Sequence, residues 1–222
     1  MSKIIELQDK RTWTKELKDS IYQKHNFDAI IQKYKIVGYH YTNLINIDDV
    51  FKNGIKGLNT KVIRNIKDNI NMIYPEKIEV INKSFEDYIR KYNFDNRKNK
   101  IFFCCDNKQI NNGFDYIFKY YGGEVTYNVF NNDILGKELL LNIGKPYIIK
   151  FLYNFNDLDC YRIDNLKQKM INKLLNNKNI ELDFSIENNV ETQDILGAYE
   201  VQRLNYNYSI KRYIANKNFN NI

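Results

Sequence analysis

The stretch GYHYTNLINIDDVFKNGIKGL, residues 38–58, decides how this chain reads. With the preceding KIV it begins as a β-branched and aromatic run of strand character. Leu44, Ile47, Val50 and Phe51 then recur at intervals of three and four, and Gly54 stands where a left-handed cap would end a helix. The prediction is a strand, a loop and a short helix, with His40 on the strand. His40 is one of 2 histidines in the chain and lies between Tyr39 and Tyr41. It reads either as a working imidazole or as a packed ring in an aromatic cluster.

Upstream, Trp13, Leu17 and Ile21, then Phe27, Ile30 and Ile31, fall at broadly helical spacing, so residues 1–35 read as a helical lead-in to a domain over 36–222. Residues 59–100 are polar and read as a helical insertion, with a helix at SFEDYIRKY whose Ser84 and Asp87 are spaced like a capping pair. NKIFFCCDN reads as a buried strand, and KQINNGFDYIFKYYGG turns helical through Ile110, Phe114, Ile117 and Tyr121. A helix closed by Gly144, the strand YIIKFLYNF, the helix DNLKQKMINKLLNN and two strands, AYEVQRL and SIKRYIA, complete the chain. The expectation is one α+β unit.

Composition limits the function classes. Of 222 residues, 43% are hydrophobic and 14% aromatic, too rich for a disordered chain. The 18 tyrosines against a single tryptophan fit a codon bias toward Asn, Lys, Ile and Tyr. A formal charge of +7, from 34 basic against 27 acidic residues, favours an anionic partner, although the lysines form no long block. The opening MSKIIELQDKRTWTK is too polar for a secretory signal, and no apolar run approaches the ~20 residues of a membrane span. A cytoplasmic protein without membrane association is expected. The 3 cysteines lack CxxC or Cys/His spacing, so neither a disulfide framework nor a metal site is expected.

Two familiar chemistries fit poorly. His40 with Cys104 or Cys105 has the His-before-Cys order of some cysteine peptidases, but paired cysteines in an apolar run read as core thiols. In YGGEVTY, Gly122 and Gly123 have neither the third glycine of a dinucleotide loop nor the Gly-Lys-Ser/Thr of a Walker loop.

The order of three features is more informative: His40-Tyr41-Thr42 on an early strand, IFFCCDNKQINNGFDY as an aromatic strand-to-helix unit, and Glu200 in the late strand GAYEVQRL. This order resembles the ADP-ribosyltransferase superfamily. The beginning and end are also similar to DarT-type enzymes that modify DNA, in HYTNLINIDDVFKNGI and AYEVQ. The resemblance is a scattered set of short motifs over residues 36–204.

It implies a split mixed or antiparallel β-sheet core with surrounding helices, and NAD as substrate without a metal. His40 would give a hydrogen bond to the ribose hydroxyls, the Tyr41 backbone would hold the nicotinamide amide, and Thr42 would add a hydroxyl contact. Tyr116 would clamp the nicotinamide, with Phe103 and Tyr120 as substitutes. Glu200 would be the catalytic carboxylate, with Glu124 as its rival and Gln202 orienting the acceptor. A carboxylate suits this bond cleavage because it stabilises oxocarbenium character at the sugar.

The chain departs from the pattern at Phe102, Phe103 and Cys104, where many members carry Tyr or Ser. Arg64, Arg90 and Arg97 are each candidates for the NAD phosphates. SIENNVETQDILG stands where the superfamily places its acceptor-recognition loop. The implied activity is transfer of ADP-ribose to a nucleic acid or protein, as in toxins and defence effectors, with an antitoxin or inhibitor protein as a further partner. The alternatives are a non-catalytic nucleotide- or nucleic-acid-binding module on the same fold, and an NAD glycohydrolase.

Overall fold

A computed structural model describes residues 3–23, 25–91, 97–111, 115–130, 134–141, 143–158, 160–180, 183–205 and 207–217. Phe114, expected on the middle helix, lies outside these residues. The fold is α+β, built among the described residues on a 7-stranded sheet.

The sheet starts earlier than the sequence suggests. Residues 1–35 read as purely helical, yet β1, Lys3–Ile5, pairs in parallel with Tyr34 to Ile36 at the start of β2, Tyr34–Leu44. A three-residue strand is too short to show a period of two. Helices α1, Lys15–Gln23, and α2, Phe27–Ile31, follow β1 as expected. Their Leu17, Ile21, Phe27 and Ile31 join the same core cluster as Phe151 and Tyr153 of the sheet. The lead-in is therefore continuous with the main core.

After β2 comes α3, Asp48–Asn53, closed by Gly54 at φ 74°, whose N–H reaches the Val50 carbonyl. Residues 59–100 supply two helices, α4, Thr60–Ile73, and α5, Ile78–Lys91. Ser84 and Asp87 lie inside α5 rather than at its start, because a turn opened by Pro75 precedes the helix at Ile78. Then follow β3, Ile101–Cys104, and the short helices α6, Asp115–Lys119, α7, Gly123–Val129, and α8, Ile134–Leu140. The remaining elements are β4, Lys145–Asn154, α9, Cys160–Asn176, β5, Asp183–Ile186, β6, Ile195–Leu204, and β7, Asn207–Ala215. β5 takes Ser185 and Ile186 out of the expected acceptor loop, and Val190 bridges back to Ile55.

The main path of the sheet runs β5-β3-β2-β4-β6-β7, every neighbour antiparallel. Central β4 is buried on both faces, which its near-continuous apolar run requires. Ile149, Phe151 and Tyr153 enter one core with the N-terminal helices and α9, while Ile148 and Leu152 enter a second core with Tyr39, Tyr41 and Phe118. A third core lies among the helices and their connecting turns, with Ile63 and Ile70 of α4 and Phe85 of α5 against Tyr121, Phe130 and Leu140. Among the described residues no helix is long and apolar enough to cross a membrane.

Candidate functional site

The edge of β2 opposite β4 is incompletely paired. β1 occupies positions 34–36, and β3 meets β2 at Tyr39 and Cys104. Beyond that point residues 40–44 of β2 and 101–103 of β3 have no positions paired with each other. A cavity of about 550 Å³ opens there, within the size range of small-molecule sites. All three cores contribute walls: Ile149 and Phe103 from the first, Tyr41 and Ile117 from the second, Tyr121 and Ile66 from the third.

His40 stands in the split. Its Nδ1 lies 2.8 Å from the Phe102 carbonyl oxygen. A carbonyl only accepts, so Nδ1 carries the proton and in the neutral ring Nε2 keeps its lone pair. Burial lowers the His40 pKa below its ordinary 6.5, opposed by the Phe102 hydrogen bond, so the ring is neutral at pH 7. The sequence expectation of a hydrogen-bond donor to a ribose is thus corrected: the available nitrogen is an acceptor.

Tyr41 and Thr42 also line the cavity, but the Tyr41 hydroxyl is committed to the Asp106 carbonyl at 2.9 Å. Asn43, next on β2, is buried, gives its Nδ2 to the Phe118 carbonyl at 2.6 Å and leaves Oδ1 without a hydrogen-bond partner among the described residues.

The aromatic candidates separate clearly. Tyr116 lines the cavity with Tyr127 packed behind it, ring centroids 5.1 Å apart. Burial, followed by the charge of Glu124, raises its phenol pKa. Tyr120 is not among the lining residues; it is buried beside Tyr127. Phe103 touches the cavity, yet it is 3% exposed and wedged among Phe151, Tyr153 and Phe184, so it is a core ring. Tyr121, not foreseen, adds a wall and accepts from Asn69 Nδ2 at 2.7 Å.

Of the three arginines considered, Arg97 is at the cavity, whereas Arg64 and Arg90 are not among its lining residues. The Arg97 guanidinium sits over the Phe102 ring, 5.2 Å from its centroid, and forms an ion pair with Glu124. Burial works against its charge, but the Glu124 hydrogen bond prevails and holds its pKa above the ordinary value. Glu124 reaches this position because Gly122 and Gly123, at φ 77° and 59°, turn the chain sharply into α7, with the Gly122 N–H on the Asn43 carbonyl. The double glycine that fits no phosphate loop thus serves to aim a carboxylate.

Glu200 does not join this group. It pairs with Tyr147 on β4, and Tyr147 pairs with Thr42, so Glu200 projects from the His40 face of the sheet but two strands away from β2, roughly 10 Å at the usual strand spacing. It is not among the cavity residues; it is 5% exposed and held by Arg212 Nε at 2.6 Å and Lys211 Nζ at 3.2 Å. The expectation that one cleft holds His40, Tyr116 and Glu200 is corrected for Glu200. Gln202 is likewise outside the lining residues and gives Nε2 to Ser209 at 3.3 Å.

Among the described residues, the carboxylates that line the cavity are Asp49, Glu124 and Asp183. Asp183, missed in the sequence, opens β5 directly across from Cys104 and accepts from its thiol at 3.5 Å. Burial and then the Asp183 charge push the Cys104 thiol well up, so it stays protonated at neutral pH and is no nucleophile.

The ion pairs give Glu200 a measurable structural role. Burial raises its pKa, but the hydrogen bonds from Arg212 and Lys211 outweigh that and leave it lowered. A lowered folded pKa stabilises above the ordinary 4.5, and the contribution is lost as pH falls through the folded value. Glu200→Gln is expected to cost about 1–2 kcal/mol at neutral pH. The Tm gap to wild type should narrow in acid. A gap unchanged at about pH 3, in thermal melts, would contradict this role.

No protein-family model matches this chain, and no curated protein does.

Proposed function

We propose that this chain is an NAD-dependent mono-ADP-ribosyltransferase that passes ADP-ribose to a macromolecular acceptor. The observation that carries the reading is the cavity at the β2/β3 split. It gathers a neutral imidazole with an acceptor nitrogen, an aromatic wall, a guanidinium and a carboxylate: His40, Tyr116, Arg97 and Asp183.

Each group matches a demand of the chemistry. The Tyr116 ring offers a flat face to nicotinamide. His40 Nε2 accepts from a ribose hydroxyl and fixes the sugar for attack. Arg97 answers the diphosphate. As the bond from the ribose carbon to the nicotinamide nitrogen breaks, its electron pair leaves with the nitrogen, which becomes neutral nicotinamide. Positive charge grows on the sugar, and Asp183 stabilises it. An acceptor nucleophile then bonds to that carbon and loses its proton.

Asp183 is preferred over Glu124, which sits at Arg97, the group assigned to the diphosphate rather than to the sugar, and over Glu200, which lies outside the cavity. The net charge of +7 favours a nucleic acid as acceptor.

The test is incubation with adenine-labelled NAD and either nucleic acid or protein. Label retained on the macromolecule, with nicotinamide released, is the expected result. Free ADP-ribose without adduct would make the enzyme a glycohydrolase. Binding of NAD without consumption would reduce it to a binding module.

A further inference from the structure

Glu124 occupies the position of a ligand. Its carboxylate is paired with Arg97 inside the cavity, where the proposed function seats the diphosphate, and the role assigned to Glu124 rests on that function. Arg97 is held in two independent ways, by Glu124 and by the Phe102 ring beneath it. His40 in turn holds the Phe102 backbone through its carbonyl, so the platform under Arg97 does not depend on Glu124. Removing the carboxylate would therefore leave the guanidinium in place with its charge free.

We infer that Glu124 is a built-in competitor for Arg97, which an incoming ligand must displace, and that it thereby selects ligands carrying a diphosphate over weaker anions and uncharged nucleosides. The pair is suited to exchange. Its side chains are 42% and 33% exposed, and partly solvated ion pairs are weak. A diphosphate brings more charge than one carboxylate and meets the guanidinium through two oxygens. A singly charged ligand gains little over Glu124, and an uncharged nucleoside gains nothing at Arg97.

The experiment is calorimetric titration of the full chain with ADP-ribose and, separately, with adenosine. Glu124→Gln keeps the side chain's size and is expected to bind ADP-ribose about fivefold more tightly than wild type, the size of effect a weak ion pair can supply. Adenosine affinity should not change, and the gain should vanish in an Arg97→Gln background. If wild type binds ADP-ribose and Glu124→Gln binds it equally or more weakly, Glu124 positions Arg97 and the competitor role is wrong, while the proposed function stands. An equal gain for adenosine would also overturn the competitor role, because the effect would not involve charge. If neither protein binds ADP-ribose, the competitor role and the functional reading fall together. Thermal melts of each variant establish that the proteins compared are folded.

Discussion

Asp183→Asn is expected to lower kcat for nicotinamide release from NAD by about 10²- to 10³-fold, the loss typical when one group opposing transition-state charge is removed. KM should barely move, because the sugar acquires its charge only as the bond breaks. Folding should be little affected: Asp183 is exposed at the start of β5, and asparagine keeps its shape. The neighbouring thiol of Cys104 loses a charged acceptor, so its pKa should fall, which thiol alkylation against pH would detect. A variant whose kcat stays within about threefold of wild type would remove Asp183 from the chemistry.

The second large effect belongs to His40. His40→Ala should reduce kcat/KM for NAD by about 10²-fold, because the ribose loses the group that fixes its orientation. It should also cost about 1–2 kcal/mol of stability, since the Phe102 carbonyl loses its partner. The pH dependence separates these roles. With a pKa below 6.5, His40 stays neutral through the physiological range, and protonation places a second proton on Nε2 and abolishes its acceptor. Wild-type affinity for ADP-ribose should therefore be flat from about pH 8 to 6.5 and decline below. Decline already near pH 8, measured by titration calorimetry, would mean that a different group controls binding.

Local order was legible where the sequence has enough periods to declare it. The apolar spacing through Phe51 and the glycine after it identified α3, and the long runs of β4 and β6 declared themselves as strands. β1 and β5 span only 3 and 4 residues, too few for alternation to stand out from their polar surroundings. The candidate site divides along the same line. His40, Tyr116 and Glu124 could be named from local motifs, Arg97 only as one of three arginines that spacing does not separate, and all four line one cavity.

That Asp183 rather than Glu200 stands at the cavity was not legible, because strand order determines it. β5 lies beside β3, next to the split, whereas β6 lies beyond β4. No local feature of AYEVQ or DFSI encodes that order. Glu200 had the more suggestive neighbours in sequence but finds Arg212 and Lys211 on the adjacent β7, so its charge is satisfied within the sheet.

A crystal structure of the full chain with ADP-ribose decides whether the cavity at the β2/β3 split is the NAD site. The ligand is expected in the cavity between β2 and β3, with its diphosphate on Arg97 and a ribose hydroxyl within hydrogen-bond distance of His40 Nε2. A ligand bound beside Glu200, or bound elsewhere with the Arg97–Glu124 pair intact, would contradict that assignment.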